Sequence, residues 1–174
     1  PDIKLVAPTG KAAARLTESI GKAVDVLPVD PSIRDQVPTD SSTIHRLLGA
    51  IPGRAEFRHH KDNPLHLDIL VVDEASMVDL FLAHSLVKAI SPDCQLLLVG
   101  DCDQLESVGP GKVLNDLLES GKIPVVKLTQ VFRQAATSAI IKNAHQINQG
   151  QYPKLEPISD QPQSDCLWHS GGHE

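Results

Sequence analysis

Four short apolar runs punctuate the chain, at Ile3–Ala7, Ile69–Val72, 96–99 and 125–128. Each is continuous rather than alternating and rich in Val, Ile or Leu, the pattern of a strand buried on both faces. Between the runs, apolar positions recur at helical spacing and stop at a glycine or a polar cap. Helices are therefore expected over 11–20 (closed by Gly21), 43–48 (closed by Gly49), roughly 78–90, Val113–Glu119 (before Gly121) and 138–149 (before Gly150), because a glycine just past a helix takes the left-handed turn that ends it. Strand and helix alternate. Right-handed crossovers then produce an open, parallel α/β sheet with helices on both faces.

Two stretches break the alternation. Residues 26–41 carry Pro28, Pro31, Pro38 and several Asp, and read as a polar connection with one helical turn. Residues 50–67, "AIPGRAEFRHHKDNPLHL", open on a Pro-Gly turn signal and read as a small hairpin inserted into the main domain, which spans 1–150. Beyond 151, Pro153, Pro157 and Pro162 among polar neighbours read as a linker, with a strand starting near 166–168. A chain that starts at Pro1 rather than Met is expected to be a piece of something longer.

Composition narrows the classes. With 174 residues and 41% hydrophobic content the chain can build one sizeable core. Only 3% is aromatic, so the chain alone supplies no platform on which bases of a single strand could stack. A net charge of −6 argues against a passive coat on nucleic acid. Local basic strips remain: Lys4, Lys11 and Arg15 near the start, Arg46, Arg54, Arg58 and Lys61 in the middle. Cys94, Cys102 and Cys166 form an odd set with no Cys-x-x-Cys pair, which favours neither a disulfide framework nor structural zinc. Cys166, His169 and His173 have a spacing that hints at metal, but only three ligands are in view. No leader and no long apolar run is present, so a cytoplasmic protein without membrane contact is expected.

Two Gly-Lys pairs raise the question of a phosphate loop. Such a loop needs a Gly five residues before the pair and Ser or Thr directly after it. At Gly10-Lys11 these places hold Leu5 and Ala12, and at Gly111-Lys112 they hold Glu106 and Val113. Neither pair qualifies. The sharper signal is "DILVVDEAS", where four apolar residues run into Asp73-Glu74 and set two carboxylates at the carboxyl end of a central strand. Open α/β sheets bind ligands there. In a Walker B arrangement Asp73 holds Mg²⁺ and Glu74 polarises the water that attacks the γ-phosphate of ATP; the plain alternative is an acidic pair favouring the start of a helix. The next run leads through Gly100-Asp101 to Gln104, which can sense a terminal phosphate, and 125–128 leads through Thr129 to Arg133, which can act as an arginine finger. A turn-forming Gly-Asp with a surface Gln, and an Arg in an ordinary ion pair, are the plain alternatives.

"APTGKAAARL", "STIHRLLG", "VVDEASMVD", "VGDCDQLESVGPG" and "LTQVFRQ", in this order and spacing from Ile3 to Pro153, together resemble the RecD-like branch of superfamily 1 DNA helicases, which contains the exodeoxyribonuclease V alpha subunit. The resemblance implies an incomplete RecA-like motor domain of the P-loop NTPase type. It further implies ATP and Mg²⁺ as cofactors, 5′ to 3′ translocation on single-stranded DNA, and a role in recombination or repair. It places DNA, not ATP, on Pro8, Thr9, Gly10 and Lys11, and on Thr43 and His45, although Thr43 as a helix cap, His45 as a half-buried helix residue and Lys11 as a solvated one are the plain alternatives. The insert at 50–67 falls where related helicases carry a hairpin near the point of strand separation, so its Arg54, Arg58, His59, His60 and Lys61 would face a polyanion. Implied partners are a second RecA-like domain of the same parent and other recombination nuclease-helicase subunits. Without its own phosphate loop the 174-residue chain is expected to be inactive alone. A non-helicase P-loop ATPase and a degenerate regulatory module are the rival readings.

Overall fold

The computed structural model describes residues 1–128, 138–157 and 164–168. The chain divides into two compact units, Pro1–Pro124 and Val125–Glu174. In the first, β1 (Ile3–Ala7), β2 (Ser41–Thr43), β3 (Ile69–Val72) and β4 (Gln95–Leu98) form one all-parallel sheet in the order β2-β1-β3-β4. Ala7 pairs with Thr43, Val6 with Val72 and Val72 with Leu98, so the carboxyl ends of the strands lie level. The helices are α1 (Gly10–Val26), α2 (Pro31–Arg34), α3 (Ile44–Leu48), α4 (Leu80–Ala89) and α5 (Val113–Glu119), with a 3₁₀ turn at Ala75–Met77.

Alternation of side chains along each strand splits the burial between two faces. Val6, Leu70 and Val72 join Ile44 and Leu48 of α3, Leu86 and Ala89 of α4 and Leu114 of α5 in one core, with Leu96 and Leu98 packed at its margin. Leu5 and Ala7, the alternate positions of β1, are buried outside that cluster, as are Ala13 and Val24 of α1, the helix that packs along β1 and β2. Thus α1 covers one face while α3 and α4 cover the other, as crossovers running in opposite directions from the sheet centre require. This is the RecA-like, P-loop NTPase class of α/β sheet. Beyond α1 the cover thins: Leu97 of β4 is 53% exposed.

Several boundaries differ from the sequence reading. Strand β2 is polar, "SST", and falls where the connection expected over 26–41 meets the helix expected over 43–48. Helix α1 runs through Gly21 to Val26, because its amphipathic stripe, ending in buried Val24, continues past the glycine. Residues 125–128 are not a strand; Val126 and Leu128 are 90% and 92% exposed, and an apolar run becomes a strand only where a neighbour supplies ladder hydrogen bonds. The insert at 50–67 is not a regular hairpin but a chain of turns with two isolated bridges, Ala50 to Phe57 and His60 to Asn63. It is firmly tied nonetheless. Arg58 N–H donates to Gly49 O and His59 N–H to Leu48 O, while Leu65 N–H donates to Ala89 O.

The second unit contains α6 (Ala139–Asn148) and a short parallel pair, β5 (Glu156–Pro157) and β6 (Leu167–Trp168). Asn143 of α6 is buried and bonds both the N–H and the carbonyl of Lys154. Among the described residues no helix is long and apolar enough to cross a membrane.

Candidate functional site at the carboxyl edge of the sheet

The level strand ends gather the loops that the sequence singles out. After β1 come Pro8, Thr9, Gly10 and Lys11; Thr43 is the last residue of β2, and His45 follows in the first turn of α3; after β3 come Asp73 and Glu74; after β4 comes the loop to Gln104. Thr129 and Arg133 lie outside the described residues, as do His169 and His173.

At the centre, Asp73 N–H donates to Val6 O, which keeps the chain in sheet geometry one residue past β3. The backbone then reverses. Glu74 has φ 51°, and it alone among the described non-glycine residues takes a positive φ. Left-handed backbone costs an ordinary L-residue about 1–2 kcal/mol, so the surroundings must hold it. Ala75 N–H, immediately after it, donates to Val99 O at 2.9 Å. Gly100 lies directly against this turn: a Cβ on it would stand 3.1 Å from both Ala75 N and Ser76 N and closer still to Leu114. The β3 and β4 loops are therefore interlocked, and both Asp73 and Glu74 stay half-buried. Two hard carboxylate oxygens at a strand end suit Mg²⁺, which keeps most of its shell from water and phosphate rather than protein. Among the described residues there is no cluster of three or more His, Cys, Asp or Glu placed to hold a metal.

The loop after β4 is folded on itself. Asp101 accepts from Asp103 N–H at 3.0 Å and from the Gln104 side-chain amide at 3.0 Å. Gln104 is thus exposed but parked on a carboxylate. Farther along, Ser107 donates to the carbonyls of Gly109 and Gly111, and Lys112 Nζ meets Glu106 at 2.7 Å. That bond holds the Lys112 ammonium above its ordinary pKa. Leu80 N–H donates to Pro110 O, which fastens the loop to the start of α4.

On the other half of the edge, Thr9 Oγ1 accepts from Ala12 N–H and caps α1, while Thr43 Oγ1 accepts from Arg46 N–H and caps α3. Both hydroxyls do the helix-capping work that their residue type predicts. Lys11 and Gly10 are exposed at the start of the 17-residue α1, where the helix field favours an anion. His45 is exposed and stands edge-on to Phe57 of the insert, with ring centroids 5.7 Å apart. Sequence reasoning missed three residues of α4, His84, Ser85 and Lys88, which face the insert across an open groove. Their only trace in the sequence is the four-residue spacing of His84 and Lys88 on a helix.

The family model described as "AAA domain" matches residues 1–164. The chain is 38% identical over 171 residues to the RecBCD enzyme subunit RecD of Haemophilus influenzae, covering 96% of this chain and 25% of that protein. It is 42% identical over 152 residues to the ATP-dependent RecD2 DNA helicase of Deinococcus radiodurans, covering 87% of this chain and 18% of that one. It is 48% identical over 120 residues to the RecD subunit of Mycolicibacterium smegmatis, covering 68% of this chain and 22% of that one. The chain thus spans about a quarter or less of these relatives' length. A parallel sheet with paired carboxylates at its carboxyl edge, matched over most of its residues by that model and by RecD proteins, belongs to the AAA domain family in its RecD-like helicase branch.

Proposed function

We propose that this chain forms part of the motor of an ATP-dependent DNA helicase that translocates on single-stranded DNA, 5′ to 3′, in recombination or repair. The supporting observation is the shared carboxyl edge. One half, from β3 and β4, presents groups suited to nucleotide chemistry; the other, from β1 and β2, presents exposed groups suited to a phosphate backbone. Among the curated relatives are proteins named as RecD subunits and as a DNA helicase. In this reading the partners are single-stranded DNA, a second RecA-like domain and further recombination subunits, and the protein works in the cytoplasm.

Each residue then has a task. Asp73 would hold Mg²⁺, which would supply positive charge to offset that of the ATP phosphates. Glu74 orients the attacking water and takes its proton. Gln104 leaves Asp101 to bond the terminal phosphate oxygen, so its present bond to Asp101 is a resting position. Arg133 supplies positive charge to the transition state. No Gly-x-x-x-x-Gly-Lys-Ser/Thr loop occurs in these 174 residues, so other parts of the full-length protein cradle the phosphates. Pro8, Thr9, Gly10, Lys11, Thr43 and His45 contact DNA, with the Gly10 amide and the Lys11 ammonium on a phosphate.

The test is Glu74→Gln in the full-length protein. Turnover should collapse while nucleotide affinity stays near that of wild type, since the metal ligand Asp73 is untouched. Equal hydrolysis rates in variant and wild type would refute the assignment.

A further inference from the structure

One polar group at the strand-end edge has no task in the proposed mechanism. Ser76 stands in the 3₁₀ turn Ala75–Met77, just past Glu74, and its hydroxyl oxygen is sealed from solvent with no hydrogen-bond partner among the described residues. Such a group gives up its water and gains nothing in exchange, so it lowers the stability of the form that contains it. An alanine would occupy nearly the same space without that cost. A hydroxyl kept here points to a second form of the site in which it is bonded.

Its neighbour is the loop that carries Gln104. Ala75 N–H donates to Val99 O, and a Cβ on Gly100 would stand 3.1 Å from Ser76 N and 2.9 Å from Leu114. The loop comes this close to Ser76 only because residue 100 has no side chain. The next two peptide N–H groups, of Gly100 and Asp101, make no hydrogen bond among the described residues. Beyond them the loop closes on Asp101: its carboxylate accepts from Asp103 N–H and from the Gln104 side chain, and its carbonyl accepts from Gln104 N–H at 3.3 Å. An orphaned hydroxyl and two unbonded donors thus lie along one seam. The other acceptors of the turn, the Asp73 and Glu74 carboxylates, are engaged by metal and water in the proposed mechanism.

We infer that Ser76 is a positioning residue for Gln104. When Gln104 leaves Asp101 for the terminal phosphate, the Gly100–Asp101 segment closes on Ser76, whose oxygen accepts one of the two N–H groups and holds the loop with Gln104 on the phosphate. The bond exists in the working form alone, so it shifts the loop toward that form. The inference rests on the helicase reading and adds to it the contact that joins the Glu74 turn to the Gln104 loop.

The test compares full-length wild type, Ser76→Ala, Gln104→Ala, the double variant and Glu74→Gln. Without nucleotide, Ser76→Ala should melt at or above the wild-type temperature, because it removes an unsatisfied group. In ATP hydrolysis at saturating oligothymidylate, its kcat should fall about tenfold with KM little changed, the effect of losing one hydrogen bond made only in the working form. In the Gln104→Ala background the same substitution should have no further effect, since the residue through which it acts is gone. A lower melting temperature would show the hydroxyl already bonded in the resting protein, by water or by a protein group. An unchanged kcat would show that it has no partner in the working form, and an equal loss in both backgrounds that it acts on something other than Gln104. Each of these overturns the inference. If Glu74→Gln hydrolyses ATP as wild type does, the helicase reading itself fails; if Glu74→Gln is inactive and Ser76→Ala matches wild type, only the role of Ser76 fails.

Discussion

Glu74 shows how one residue joins stability to chemistry. The apolar run before it announced a carboxylate at a strand end, but nothing in "VVDEAS" announces a left-handed backbone, which arises from the Ala75–Val99 hydrogen bond and the close approach of Gly100. If that backbone is strained, glycine should suit position 74 better than alanine, the reverse of the helical preference. Both substitutions remove the carboxylate and abolish turnover in the proposed mechanism. Yet Glu74→Gly should be more stable than Glu74→Ala by about 1 kcal/mol, since alanine retains the Cβ that disfavours the conformation. Urea unfolding of the pair checks this, and an alanine variant of equal or greater stability would remove the strain argument. Thr9 and Thr43 teach the complementary lesson. Their type and position were legible, but the same sequence signal serves a helix cap and a DNA contact, and the structure makes the caps explicit. Thr9→Ala would therefore confound two effects, and Lys11 is the cleaner probe of the loop.

Among the strands that form, β1, β3 and β4, with a continuous apolar signature, were readable and β2, held by polar contacts, was not. Strand β2 was invisible because its residues earn no hydrophobic score. Ser41 Oγ donates to Ala13 O, its N–H donates to Thr17 Oγ1, and the two hydroxyls lie 2.9 Å apart, so β2 is lashed to α1 by side chains. Ser41→Ala strips the Ser41 hydroxyl from this network and should cost about 1–2 kcal/mol. Ser42→Ala, which loses only a 3.5 Å contact to the next residue's carbonyl, should cost well under half of that; equal losses in denaturant unfolding would count against the lash. In the second unit, Asp165 reaches the start of α6. The Ser138 hydroxyl, followed by the Ala139 and Ile140 N–H groups, holds its carboxyl below the usual aspartate range. A depressed folded pKa means that the contribution is present above the unfolded value of about 3.9 and is lost as pH falls through the lower folded one. The Ala139 amide resonance should accordingly titrate with a midpoint below 3.9, and a midpoint at or above it would show that the cap is not formed.

For the whole molecule, the open parallel sheet and its candidate edge were legible because the rule that such sheets bind ligands outside the carboxyl ends of their strands needs only strand order and strand ends. What was not legible came from contacts between distant segments: the groove between α4 and the insert, and the exposed state of residues 125–128. In the proposed function the edge divides into a nucleotide half and a DNA half, and Lys11 tests which half the first loop serves. It lies at the head of α1, exposed, with no carboxylate partner among the described residues. If it holds a DNA phosphate, Lys11→Gln in the full-length protein should lower the salt slope of single-strand affinity by about 0.7, the value of one phosphate contact. Half-maximal stimulation of hydrolysis should then need more DNA than before. The α1 cap is untouched, so the helix should melt as in wild type. The deciding measurement pairs an oligonucleotide salt titration with an ATPase assay lacking DNA. Should hydrolysis without DNA vanish while DNA affinity and its slope stay put, the loop at 7–11 serves the nucleotide, and the division of the edge drawn from β1 and β2 is wrong.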